Sequence, residues 1–236
     1  MISDLRRLGS RRYLIVVAVV TAALGVSLLI NTATYSAAPQ AQALTHKAVT
    51  ATVFWVGERG SSDNNYIGNV ASAWDEQWQG HYGGVDSPNA RHGYYPAAFR
   101  PRENPFYVAL PYDDVNDAGQ RRPMAGLCPN VNNPKLKHYS WCKNAWVAVR
   151  NGSRTVYAQW EDVGPYQEND IAYVFGTSQP RNHIDTGAGL DVSPAVRDYL
   201  RVGGVSRNDW NFVPAQSVPA GPWLQIVTHS PGESID

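Results

Sequence analysis

Short apolar runs separated by Gly-, Pro- and Asn-rich stretches set the pattern of the chain beyond residue 51. Residues 52–56 (Thr-Val-Phe-Trp-Val) are β-branched and aromatic and end at Gly57, which predicts an opening strand. A second strand is predicted over 106–110, stopped by Pro111. The runs 145–150 and 155–161 flank Asn151-Gly152, a short-range hairpin signal. Residues 190–192 predict a short strand leading into Ser193-Pro194, which fits an N-cap followed by Pro at the first helical position. Ala195, Val196, Tyr199 and Leu200 give that helix an apolar face, and Gly203-Gly204 predicts its end. Closing strands are expected over 210–213 and 224–228. Between Glu58 and Asn104 the chain is loop-like. The exception is residues 70–79, where Ala71, Trp74 and Trp78 recur at helical spacing. At least six short strands and one clear helix predict a small barrel or sandwich.

The N-terminus follows a different pattern. Arg6, Arg7, Arg11 and Arg12 precede an uncharged stretch from Tyr13 to Ile30, and Ala41-Gln42-Ala43 offers a small-residue cleavage site. These are the parts of a secretory signal. The apolar stretch is also close to the span of a bilayer, so an uncleaved signal-anchor with its arginines inside stays open. Either way the remainder is exported. Residues 31–48 have linker composition, giving a plan of targeting segment 1–43, linker 44–50 and folded domain 51–230.

Composition narrows the partners. Without the first 43 residues the chain carries 16 basic and 19 acidic side chains. That balance gives no electrostatic footprint for nucleic acid, and a membrane is contacted only through an uncleaved anchor. Cys128 and Cys142 are the only cysteines, and in an oxidising compartment they are expected to form a disulfide. Closing such a loop stabilises by about 3 kcal/mol in the chain-entropy model. His81, His92, His138, His183 and His229 are scattered without metal-ligand spacing, and there is no nucleophile elbow or phosphate loop. No cofactor or metal is therefore expected.

Two segments carry a resemblance. Val156-Tyr157-Ala158-Gln159-Trp160-Glu161-Asp162-Val163-Gly164-Pro165-Tyr166 resembles the V-x-V-x-x-N-D-R-G-P-F strand and turn of RlpA-like double-psi β-barrels. Gly189-Leu190-Asp191-Val192-Ser193-Pro194-Ala195 resembles their D-L-S-x-A step, shared with expansins and family-45 endoglucanases. Trp210 to Val213 resembles the strand that follows, and Ala109 to Tyr112 is a weaker echo of T-L-P-F. The resemblance implies a mainly β fold: a six-stranded double-psi barrel with one or two short helices and long decorating loops. It also implies a groove for wall polysaccharide, peptidoglycan or β-glucan.

In that family the Asp of D-L-S lies in the groove as proton donor, and Asp191 matches it. A carboxyl in a partly apolar groove has its pKa raised and can protonate a glycosidic oxygen. The companion residues depart from the pattern: Val163 replaces the Arg, Glu161 replaces the Asn, and Tyr107 stands where a groove histidine is found. A glycosidase normally needs a second carboxyl, and Asp114, Glu58 and Asp162 are its candidates. Expansins keep the single Asp without net hydrolysis, so lytic transglycosylase or hydrolase chemistry and non-hydrolytic binding both fit. Trp74, Trp78, Trp141, Tyr94 and Tyr95, with Tyr107 in the histidine position, are candidate sugar-stacking residues, against small satellite cores under the loops. Trp146, Trp160 and Trp210 read as core. An interaction or inhibitor protein on a barwin-like scaffold, its partner surface in loops 58–104, is the competing reading.

Overall fold

The computed structural model describes residues 45–235; the targeting segment inferred from residues 1–43 lies outside them. Eight strands are described: β1 (His46–Val53), β2 (Arg91–His92), β3 (Tyr95–Pro96), β4 (Tyr107–Leu110), β5 (Trp146–Asn151), β6 (Arg154–Val163), β7 (Leu190–Val192) and β8 (Val205–Val213). Six of them close a barrel in the order β1-β7-β4-β6-β5-β8, and β2 pairs only with β3. The β1–β7 and β4–β6 pairs are parallel and the other pairs in the barrel antiparallel. Closure leaves no unpaired edge for another strand. The expected six-stranded barrel with long loops is what forms. Three short α-helices accompany it: α1 (Trp78–Tyr82), α2 (Ile171–Val174) and α3 (Pro194–Leu200).

Local chemistry explains where the elements begin and end. The β5–β6 hairpin turns at Gly152, whose φ of 55° is open to glycine at no steric cost. Ser193 caps α3, its Oγ accepting the Val196 N–H at 3.3 Å, and Pro194 follows. That helix ends at Arg201, left-handed at φ 59°, two residues before the glycines expected to stop it.

Three segments differ from the sequence pattern. Residues 46–50, read as linker, are the first half of β1, because β8 supplies partners for Val49, Thr50 and Ala51. Their polar look follows from the exposed face they present. The helix expected over 70–79 is instead a turn bridging Ser72 and Asp75, followed by α1. The Asp75 carboxylate accepts the Gln77 N–H at 2.9 Å and holds that turn outside helical geometry. Residues 224–228 form no strand. With the barrel closed there is no slot for one, and buried amides satisfy the segment instead: Gln159 Oε1 accepts the Thr228 N–H at 2.9 Å and its Nε2 donates to Thr228 O at 3.0 Å.

The interior is packed by Val147, Val149, Val156, Trp160, Leu190, Val192 and Trp210, all fully buried or nearly so. Trp146, Trp160 and Trp210 are core residues, as their strand positions imply. A smaller cluster of Phe54, Val56, Trp78, Tyr82 and Tyr107 lies outside this interior. Cys128 and Cys142 are joined by the expected disulfide.

Candidate active site

Strand register brings the key groups together. Thr52 of β1 pairs with Asp191 of β7, Asp191 pairs with Ala109 of β4, and Ala109 pairs with Asp162 of β6. Side chains opposite one another in a sheet share a face, so Thr52, Asp191, Ala109 and Asp162 form one row across four strands. Alternation sends Leu190 and Val192, on either side of Asp191, into the core. The row depends on a bulge. Trp160 pairs with Val108 and Asp162 with Ala109, so Glu161 is an extra residue in β6. A bulge re-aims the side chains beyond it. Trp160 enters the core, Glu161 turns to a buried ion pair with Lys143, and Asp162 reaches the row.

The row lies in a groove of about 550 Å3. Glu58, Asp63, Asp162, Asp185 and Asp191 all line it, with Phe54, Trp55 and Tyr166 as its aromatic wall. Ala109 leaves space between Asp191 and Asp162, and a Cβ added at Gly164 would meet Asp191 Oδ2 at 3.7 Å. Gly164 has φ 151°, and a cis peptide joins it to Pro165. Tyr166 is fixed at the rim: its hydroxyl donates to Asp185 Oδ2 at 2.8 Å and accepts from Asn65 Nδ2 at 2.6 Å.

Three carboxyls here hold their protons more tightly than usual. Burial pushes Asp191 up to about 6; a hydrogen bond from the Thr52 hydroxyl opposes this, and the Glu58 charge adds to it. Asp162, 6 % exposed, is pushed up to about 7 by burial, against hydrogen bonds from the Ala73 and Val163 N–H groups and with help from the charges of Asp191 and Asp113. Burial also raises Glu58, against hydrogen bonds from Asn64 and Asn69. Desolvation disfavours the charged form, and a second carboxylate nearby adds to the effect. Such a set can donate and accept protons near neutral pH.

Of the candidate carboxyls, the groove thus gathers Asp191, Glu58 and Asp162, and Asp114 has a different position. It is fully buried against the disulfide loop, ion-paired with Arg121 at 2.9 Å and accepting from Ser140 Oγ at 2.6 Å and the Trp141 N–H at 2.7 Å. With its oxygens occupied it organises that loop and does not reach the groove. The aromatics correct the expectation further, because none of the six lines this groove. Trp74, Trp78 and Tyr107 are buried. The Tyr107 hydroxyl donates to Asp86 at 2.9 Å and accepts from the Val56 N–H at 3.0 Å, so it has no free edge for a sugar. Trp141 stacks under the Arg121 guanidinium at 3.5 Å. Tyr94 packs on Phe106 and Tyr199, and Tyr95 lies beneath Arg100.

The groove aromatics Phe54, Trp55 and Tyr166, and the positioning hydroxyl of Thr52, were not singled out in the sequence. Tyr166 does stand inside a motif that carries the resemblance, and Phe54 and Trp55 inside the predicted opening strand, which were the available signals. Among the described residues, the one three-residue gathering of metal-ligand type is Asp114 with Cys128 and Cys142, whose sulfurs are bonded to each other.

No protein-family model matches the chain, and no curated protein matches it. Among solved structures it is similar to the Streptomyces papain inhibitor (SPI), over 72 % of this chain and 96 % of that one, at 15 % identity and a TM-score of 0.29. A likeness of that degree carries nothing about activity.

Proposed function

We propose that this chain is an extracytoplasmic barrel protein that binds polysaccharide of the cell wall in the groove, with Asp191 as the proton donor of a wall-modifying step. One observation supports it above the others: Asp191 is raised to about 6 in a solvent-connected groove beside Glu58 and Asp162. A carboxyl that keeps its proton near neutral pH can give it to a glycosidic oxygen, and a second carboxyl beside it can take the base or nucleophile role. Glu58 and Asp162 are the companions within the groove. The disulfide fits an oxidising compartment, and no described helix is long and apolar enough to cross a membrane. Release of soluble fragments from peptidoglycan and from β-glucan, by the full chain and by Asp191→Asn, tests the catalytic part. Loss of about 10²- to 10⁴-fold is expected for a general acid. Equal release by both proteins ends the catalytic role, and failure to bind either polymer ends the reading as a whole.

A second reading, an interaction or inhibitor protein, is favoured by one feature. The loop after Glu58 exposes Tyr66 (77 %), Ile67 (47 %) and Val70 (47 %). It is braced by Asn64, which accepts from the Ser61 N–H at 2.7 Å and donates to Arg59 O at 3.0 Å. Apolar side chains on a braced loop suit a protein partner. Tyr66→Ser with Val70→Ser would abolish such an interaction and leave polysaccharide binding to the groove carboxyls intact.

A further inference from the structure

A second trough, of about 490 Å3, adjoins the groove; Ile67, Asn69, Asp162 and Val163 line both. Glu76, Asp113, Asp117, Glu168 and Glu233 also line it, and no Lys, Arg or His does. In the first groove the five carboxyls meet a single cation, Arg197, which is itself ion-paired with Asp198.

Elsewhere in the described residues most acids are neutralised, Glu103 and the His81-paired Asp75 being the exceptions. Asp86, Asp114, Glu161, Asp170, Asp198 and Asp209 each have a Lys or Arg ion-pair partner. Among the carboxyls of the two troughs only Glu168 has one, Arg122 at 3.2 Å. The segregation is therefore one of pairing as well as of position. Concave surfaces lined with uncompensated charge of one sign focus the potential and concentrate ligands of the other sign.

Asp162 is an independent pointer to a ligand. It is 6 % exposed and lies where the two troughs meet. Its Oδ1 accepts the Ala73 and Val163 N–H groups at 2.8 Å each, and its Oδ2 has no hydrogen-bond partner among the described residues. The charges that act on it, Asp191 and Asp113, have its own sign. A carboxylate so buried and so surrounded is costly unless a donor or cation joins it. An ammonium group supplies both at once.

Resting on the polysaccharide reading, we infer that the joined troughs select a glycan bearing free, protonated amines, a de-N-acetylated amino-sugar chain, over neutral or anionic glycans. Ammonium groups along such a chain would meet Asp162 at the junction, and then Asp113, Glu76, Asp117 and Glu233 along the second trough. The uncharged stretches of the sugar would lie against Trp55 and Tyr166.

Calorimetric titration of the full chain with a glucosamine hexamer, an N-acetylglucosamine hexamer, cellohexaose and hexalysine tests this. The glucosamine hexamer is expected to bind about tenfold more tightly than the two uncharged hexamers at low salt, with the gap closing as salt screens the charges. Glu76→Gln with Asp117→Asn, both exposed and without side-chain partners, should weaken the glucosamine hexamer alone, by about threefold. Equal affinity for the three sugar hexamers overturns the amine selectivity and leaves the polysaccharide reading standing. Binding of hexalysine with none of the sugars, or of no oligomer at all, overturns both.

Discussion

Asp114, just beyond β4, and Asp162, within β6, are both buried aspartates of the same domain, and they differ in what surrounds them. Asp114 meets a guanidinium, a hydroxyl and a backbone N–H. Asp162 meets two backbone N–H groups on one oxygen and carboxyls beyond. The first arrangement fixes a loop, since both oxygens have donors and the charge is offset. The second leaves a carboxyl whose proton is negotiable near neutral pH, which is the condition for chemistry or for a cationic ligand. Burial alone therefore does not separate a structural acid from a functional one. The sign and number of its neighbours do.

The comparison breaks most directly at Asp114. Asp114→Ala would leave Arg121 without its partner and the Trp141 N–H and Ser140 hydroxyl without an acceptor, at a cost of about 3–5 kcal/mol. Chemical denaturation measures it, and an unchanged midpoint would contradict the structural assignment. Asp162→Asn should do the opposite at neutral pH, because it removes a charge the fold disfavours.

The pH dependence sharpens the same point. A carboxyl raised in the folded state binds more protons folded than unfolded, so its contribution to stability is complete below the unfolded pKa and is lost as pH rises through the folded value. For Asp162 that window runs from 3.8 to about 7, and for Asp191 from 3.8 to about 6. Stability should fall by roughly a few kcal/mol between pH 4 and pH 8, discounted for the partly exposed Asp191. Asp209 runs the other way, held low by its hydrogen bond from Lys47, but it is a surface group and its effect is small. Denaturation midpoints across that range for the parent and Asp162→Asn give the answer; a curve that Asp162→Asn leaves equally steep would refute the assignment.

Reduction of the Cys128–Cys142 disulfide should cost about 3 kcal/mol and loosen the Asp114 loop, with the groove retained. Binding that disappears on reduction would join the two regions that the structure separates. The smallest effect is expected from Tyr166→Phe, about 0.5–1.5 kcal/mol, from losing the hydrogen bonds to Asp185 and Asn65 at the rim. A differential scanning measurement resolves it, and a shift as large as that of Asp114→Ala would place Tyr166 among the structural groups.

Much of the barrel was legible because its strands carry local signals. The hairpin at Asn151-Gly152, the Ser193-Pro194 cap and the alternation around Asp191 each encode geometry within a few residues. The resemblance pointed to Asp191, and the register sets it in a groove with Glu58 and Asp162. What stayed hidden involved partners distant in sequence. Residues 46–50 look like a linker until β8 pairs with them, and 224–228 look like a strand until closure removes its place. Asp114 looked no different from Asp162, because Arg121, Ser140 and the bulge at Glu161 that separates their fates act through space or through the ladder.

The sequence by itself determined a β-rich domain, its main turns, the cysteine pair and an aspartate at a strand-to-helix step, all properties of neighbouring residues. The tertiary structure decided which carboxyls share a groove, which are neutralised and which aromatics face solvent. Those depend on desolvation and charge pairing between strands far apart in the chain, and a linear pattern does not contain them.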